Sequence, residues 1–241
     1  MSHTVCNIRF PKPAPPSIPQ ATRQGIGVRA ASHLMVHIEP YERMDVGDLI
    51  ELFWNDCYVG SKILKASDIS KTIVLRVPES FLQNGKTRVH YRIMKVGGTP
   101  VISACRKLWV KLDAPGGRLH STSAEENQGL APLTLPSCVI RHGLTSRYMT
   151  CGLPVTIEPY LNMAPHDEIT VRWGDLRMDL APLAAEEVGT PVDLVIPPAL
   201  ILEAGNEEHL EVTYCIIDRV GNNSLWAPPR EIRIRNLGES V

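Results

Sequence analysis

The chain has 241 residues, 44% of them apolar and 5% aromatic, with 25 Lys and Arg against 26 Asp and Glu and a formal net charge of −1. That apolar content excludes a disordered chain. The charge balance argues against a nucleic-acid binder working through phosphate contacts, and no apolar run approaches the ~20 residues that span a bilayer.

Residues 1–13 open the chain as an arm containing Pro11 and Pro13, and Pro15, Pro16 and Pro19 follow directly. Such a run favours extended backbone. The first residues lack a basic stretch followed by an apolar one, so no Sec signal is visible. The expectation is a protein that is cytoplasmic as synthesised, with any export by a non-Sec route.

From residue 14 an internal repeat organises the sequence. Ile38-Glu39-Pro40-Tyr41 recurs as Ile157-Glu158-Pro159-Tyr160, an offset of 119. At the same offset Met44 pairs with Met163, Asp48 with Asp167, Ile50 with Ile169, Trp54 with Trp173, and Val77-Pro78 with Ile196-Pro197. After a small insertion Val89-x-Tyr91 pairs with Val212-x-Tyr214, Val96-Gly97 with Val220-Gly221, and Leu108-x-Val110 with Ile232-x-Ile234. Units this long are too large for a solenoid repeat and read as two domains of one fold. The expected division is domain one over 14–114, a linker over 115–132 and domain two over 133–241. The linker has turn formers and small polar residues without an apolar period.

Within each unit the period is two. Ile169-Thr170-Val171-Arg172-Trp173 is apolar at alternate residues, as are the runs at 89–93 and 232–234, which is half-buried strand chemistry. Residues 72–77 and 191–196 add a strand to each unit, ended by Pro78, Pro197 and Pro198. The segments at 80–82 and 199–202 have room for about one helical turn. About seven short strands per 100 residues point to all-β architecture: two tandem immunoglobulin-like β-sandwich domains joined by a flexible linker. A Greek-key barrel is the alternative.

The pattern Ile-Glu-Pro-Tyr-x-x-Met-x-x-x-Asp-x-Ile-x-x-x-Trp, followed by Val/Ile-Pro, Val-x-Tyr and Val-Gly, resembles the tandem Ig-like repeats of large proteobacterial, pseudomonad-type surface or secreted proteins. Gly47-Asp48 fits the Gly-Asp of that family's core, and His166 replaces the glycine before Asp167. The resemblance implies the fold and a surface or partner-binding role, and it carries no catalytic residues.

Alternation also assigns faces. Ile50, Leu52, Trp54, Val89, Tyr91, Ile93, Leu108, Val110 and Leu112 point inward. In an Ig-like fold these strands are C, F and G of one sheet. Their outer face in domain one then collects Leu49, Phe53, Met94 and Trp109, with Arg92 and His90 among them. The domain-two counterparts are Glu168, Arg172, Ile217 and Arg233. A large apolar face in one repeat marks an interface, or else packs within the chain.

None of the six cysteines occupies matched positions in the two repeats, and no Cys-x-x-Cys pair exists, so free thiols are expected. Cys138 and Cys151 flank an expected first hairpin of domain two and are the pair to bridge in an exported protein. His166-Asp167-Glu168 reads as a turn; calcium would need six to eight oxygens. His120-Ser121 lies in the linker, where adjacent residues hold no catalytic geometry. Glu39 and Glu158, recurring in both units, read as structural. No nucleotide or hydrolase motif is present, and no cofactor or metal is expected.

The functional expectation is a non-enzymatic protein-interaction or adhesion module. It binds another protein, on family analogy one of an export or toxin-delivery assembly, through Leu49, Phe53, Arg92, Met94 and Trp109. The alternative is a lectin-like binder of surface glycans through end loops carrying Asn222, Asn223 and Trp226. A hydrolase with a loop-built site is the remote third reading.

Overall fold

The computed structural model describes residues 12–22, 25–117, 125–204 and 209–234. The chain divides into two compact units, Met1–Leu112 and Asp113–Val241. Among the described residues no helix is long and apolar enough to cross a membrane.

The first unit contains strands β1 (Gly25–Ile26), β2 (Met35–Ile38), β3 (Leu49–Trp54), β4 (Cys57–Ile63), β5 (Ile73–Arg76), β6 (Gly85–Met94), β7 (Val101–Ile102) and β8 (Arg106–Val110). One sheet has the order β1-β8-β6-β3-β4, with β7 also on β6, and the other pairs β2 with β5. Only β1 and β8 run parallel among these pairs. Ser17 adds a bridge to His37 beside β2. The expected C, F and G strands, β3, β6 and β8, thus share one sheet.

The second unit repeats this plan with β9 (Leu153–Ile157), β10 (Glu168–Trp173), β11 (Leu176–Asp179), β12 (Val192–Ile196), β13 (His209–Ile217), β14 (Asn223–Trp226) and β15 (Arg230–Arg233). Its large sheet runs β11-β10-β13-β14, with β15 also on β13, and β9 pairs β12. Thr134 bridges Thr156, and Leu144 bridges Ile234 in parallel. The protein is therefore all-β, two Ig-like sandwiches in tandem. The strand orders match because the inward residues match. Trp54, Tyr91 and Ile50 are buried in one unit, and Trp173, Tyr214 and Ile169 in the other.

Each unit brings a glycine against its last strand. A Cβ on Gly25 would lie 1.9 Å from the Trp109 carbonyl oxygen, and one on Gly143 would lie 2.5 Å from that of Arg233. Their φ values of +153° and +80° also favour glycine.

Two expectations change. The segment between Cys138 and Cys151 forms helices α1 (Ser137–His142) and α2 (Tyr148–Cys151), not a hairpin. Pro136 sets the first helical turn, and Gly143 ends it at positive φ. Within 115–132, residues 118–124 lie outside the described residues, but the flanks are packed into the second unit. Leu130 is buried in its core. The Gly116 amide donates to the Leu161 carbonyl (2.8 Å) and the Asn127 amide to that of Trp226 (2.7 Å). Of the arm, only residues 12 and 13 are described.

Candidate functional site

The outer face of the first unit is built by register. Leu49 lies between Ile63 and Met94, Glu51 between Ser61 and Arg92, and Phe53 between Tyr58 and His90. These rows place Leu49, Phe53, Arg92 and Met94 on one continuous face. Trp109 sits apart, opposite Lys86. That is four residues along β6 from the row of Phe53, about 13 Å at strand spacing. The five expected site residues are all half-buried, and the first four form the cluster.

The centre of the face is a packed stack. Phe53 lies parallel on His90, ring centroids 5.1 Å apart and 6° between planes, with Tyr58 edge-on at 6.1 Å. The Arg92 guanidinium lies 5.2 Å from the Phe53 ring and donates to Glu51 Oε2 at 2.6 Å. The Glu51 contact holds the Arg92 pKa above its ordinary value. Burial lowers that of His90, and the charges of Arg88, Lys12 and Arg92 add to this against the opposing pull of Asp56. His90 is thereby held as the neutral ring that stacks. Beyond the stack, the row Ile63–Leu49–Met94 is apolar across three strands, and Ile63 is 63% exposed.

Sequence reasoning missed Tyr58 and Ile63 because it missed β4. A usable signal existed: Asn55 and Asp56 follow Trp54 at φ +49° and +64°, a two-residue hairpin turn.

The equivalent face of the second unit holds Trp226. Its ring carries Arg172 at 5.0 Å and Arg177 at 5.7 Å. Thr213 and Cys215, outward on β13 by alternation, are buried. The two asparagines grouped with Trp226 as glycan contacts serve their own turn. Asn222 is buried and donates through Nδ2 to Asp218 Oδ2 (2.9 Å), and Asn223 Oδ1 accepts the Leu225 amide (2.8 Å).

The repeated Pro-Tyr corner is a hydrogen-bonded structure. Tyr41 donates to Asp48 Oδ2 and Tyr160 to Asp167 Oδ2, both at 2.9 Å. The Asp45 and Ala164 amides donate to the same two oxygens. In the first unit Lys95 Nζ adds a contact at 3.0 Å. Burial raises the Asp48 carboxyl, but the hydrogen bonds from Lys95, Tyr41 and the Asp45 amide outweigh it and leave the pKa lowered. Burial and Asp48 push the Tyr41 phenol far up, and burial and Asp167 do the same to Tyr160. Glu39 and Glu158 each accept a threonine hydroxyl, from Thr72 and Thr134.

Asp167 thus serves the corner, and among the described residues no group of three or more His, Cys, Asp or Glu could hold a metal ion. Cys57, Cys105, Cys138, Cys151 and Cys215 are free thiols. Cys138 Sγ lies 3.1 Å from Tyr148 Oη, a contact that lowers the thiol pKa. His120 and Ser121 lie outside the described residues. Ser32 Oγ is 2.7 Å from His33 Nδ1, but it is exposed and donates to the Arg29 carbonyl.

Strand order and face define tandem Ig-like modules whose elaborated surface is a sheet face. No protein-family model matches the sequence, and no curated protein matches it significantly. Among solved structures, the chain is similar to the fibronectin(III)-like modules of Clostridium thermocellum CbhA, with 10% identity, 92% of this chain and 94% of that one covered, and a TM-score of 0.44. It is similar to the FN1–FN3 domains of chicken CNTN1, with 13% identity, 94% and 65% coverage, and a TM-score of 0.41. A Ca2+-stabilised adhesin with which an Antarctic bacterium binds ice gives 12% identity, 93% coverage and a TM-score of 0.39, and the chain spans 49% of its length.

Proposed function

We propose that the chain is a non-enzymatic interaction or adhesion module whose first domain binds another protein through the outer face of β3, β4 and β6. The observation that carries this reading is the apolar row Ile63–Leu49–Met94, bordered on the same sheet by exposed Ile102, which lies opposite Arg92. Its counterparts in the second unit include Pro182 and Glu168, so the apolar row is not a requirement of the fold. An apolar centre beside an aromatic stack and a paired arginine is the composition of a protein interface. A glycan would need an open aromatic face, and both Phe53 and Trp226 have a charged or aromatic group over theirs. The repeat's resemblance to proteobacterial surface and secreted proteins supports placing the partner in an export or toxin-delivery assembly.

The test is affinity capture from the source organism's lysate and culture medium with the full chain as bait. The double variant Ile63→Ser/Met94→Ser, shown to be folded by circular dichroism, is expected to recover at least tenfold less of the wild-type partner. Trp109→Ser is expected to recover it nearly unchanged. Equal recovery by the folded double variant, or no partner for wild type, overturns the reading.

A further inference from the structure

At one end of the first sandwich, the segment 12–14, the corner 39–43 and the turn 95–101 enclose a cavity of about 400 Å³. Pro13, Tyr41, Tyr91, Ile93 and Val101 are among its lining residues. The volume falls within the range of ligand sites.

The second unit shows what this place accommodates. The bridge Ser17–His37 corresponds to Thr134–Thr156. Four residues ahead of it stands Pro13 in the first unit and Leu130 in the second. Leu130 is buried within the core. The carbonyl of the next residue, Ala131, accepts the Tyr214 hydroxyl at 2.8 Å. Tyr214 is the counterpart of Tyr91, and Ile216 of Ile93.

Among the described residues the first unit makes no such closure. Pro13 is half-buried and Ala14 is exposed. The Pro13 carbonyl is taken by the Ala104 amide at 2.9 Å. The Tyr91 hydroxyl finds no acceptor among the described residues. Among the described residues, the cavity is thus a site whose aliphatic plug and carbonyl are present in one repeat and missing from the other.

We propose that this cavity receives one aliphatic side chain from a peptide segment of a partner protein, with Tyr91 Oη donating to the carbonyl that follows it. The partner supplies in trans what residues 130–131 supply to the second unit in cis. The site lies at the loop end of the sandwich and shares no residue with the sheet face described above, so each can fail without the other.

The probe is a capped hexapeptide with the sequence of Asn127–Pro132, which contains a single leucine. It is titrated at millimolar concentration into the full-length chain, with the methyl resonances of Ile93 and Val101 followed by NMR. The expected result is saturable shifts at both. Replacing the peptide's leucine by alanine is expected to weaken binding at least fivefold. Tyr91→Phe in the protein removes only a hydroxyl that has no described partner, and is expected to weaken it about three- to tenfold. Absence of saturable shifts at Ile93 and Val101, or equal binding of the alanine peptide, overturns the proposal.

Discussion

In the first unit the rings over the large sheet come from β3 and β4, as Phe53 and Tyr58, and the arginine comes from β6. In the second unit arginines take the places of these two rings, and the ring comes from a further strand. Arg172 and Arg177 stand on β10 and β11 at the positions of Phe53 and Tyr58, and the ring, Trp226, stands on β14. Both arrangements place a guanidinium 5.0–5.2 Å from an aromatic ring. Duplication has kept the register and the kind of contact while changing which strand supplies each partner. The consequence for surface chemistry is large. Outward Thr213 and Cys215 are buried in the second unit, whereas Ile63 and Ile102 stay exposed in the first. The fold tolerates either face, so the difference between them is free to serve binding.

The shared frame is where the largest effects are expected. Gly25→Ala would place a methyl 1.9 Å from a backbone oxygen, and Gly143→Ala one at 2.5 Å. Each is expected to destabilise its own unit by about 3 kcal/mol, with Gly25 the costlier. Denaturant unfolding followed by hydrogen exchange assigns each loss to a unit. Equal stability of variant and wild type would show that the last strand can shift away.

The two corners should respond unequally. Tyr160 and Asp167 are 9% and 0% exposed, while Tyr41 is half-buried. Tyr160→Phe removes a hydrogen bond to a carboxylate that water does not reach, and is expected to cost about 2 kcal/mol. Tyr41→Phe is expected to cost about 1 kcal/mol, because water takes the place of the hydroxyl. Chemical denaturation of both variants checks the order, and a reversed order would contradict the burial argument.

A smaller effect of opposite sign is expected at residue 166. Gly47 and His166 share a positive φ, +88° and +69°, and their amides donate to the carbonyls of Leu64 and Leu183. A side chain there carries left-handed strain. His166→Gly is expected to stabilise the second unit by about 1 kcal/mol in thermal unfolding, and a loss of stability would mean that the histidine makes a compensating contact.

The smallest effect concerns acid. The Asp48 pKa is lowered in the folded first unit. Its contribution is therefore fully present above the unfolded value of about 3.9 and is lost as pH falls through the folded value. Lys95→Met removes one of the hydrogen bonds that lower it. The acid unfolding midpoint of the first unit is expected to move to higher pH, while that of the second stays fixed. Unchanged midpoints would show that Lys95 contributes nothing to folding.

Much of this frame is legible in the sequence because one-sided burial writes alternation into strands. β10, with buried Ile169, Val171 and Trp173, reads at sight. β4 does not, since as an edge strand it buries neither face fully and its residues are exposed or half-buried throughout. The plug at Leu130 escaped for a different reason. Its flanks are pinned by main-chain bonds to Leu161 and Trp226, which leave no side-chain signature, among glycines that read as linker. The site was half legible. Parity placed Leu49, Phe53, Arg92 and Met94 on one face, but distance along β6, which separates Trp109 from them, depends on register.

The most direct test of the binding face uses the protein's own second repeat. Leu49→Glu with Phe53→Arg installs the residues found at the matched positions 168 and 172, which the equivalent sheet of the second unit carries. The full-length double variant is compared with wild type by quantitative affinity capture, with hydrogen exchange to verify that both units remain folded. Loss of the captured partner from a folded variant is the predicted result. Retention of that partner at the wild-type level would contradict the assignment of this face as the docking surface.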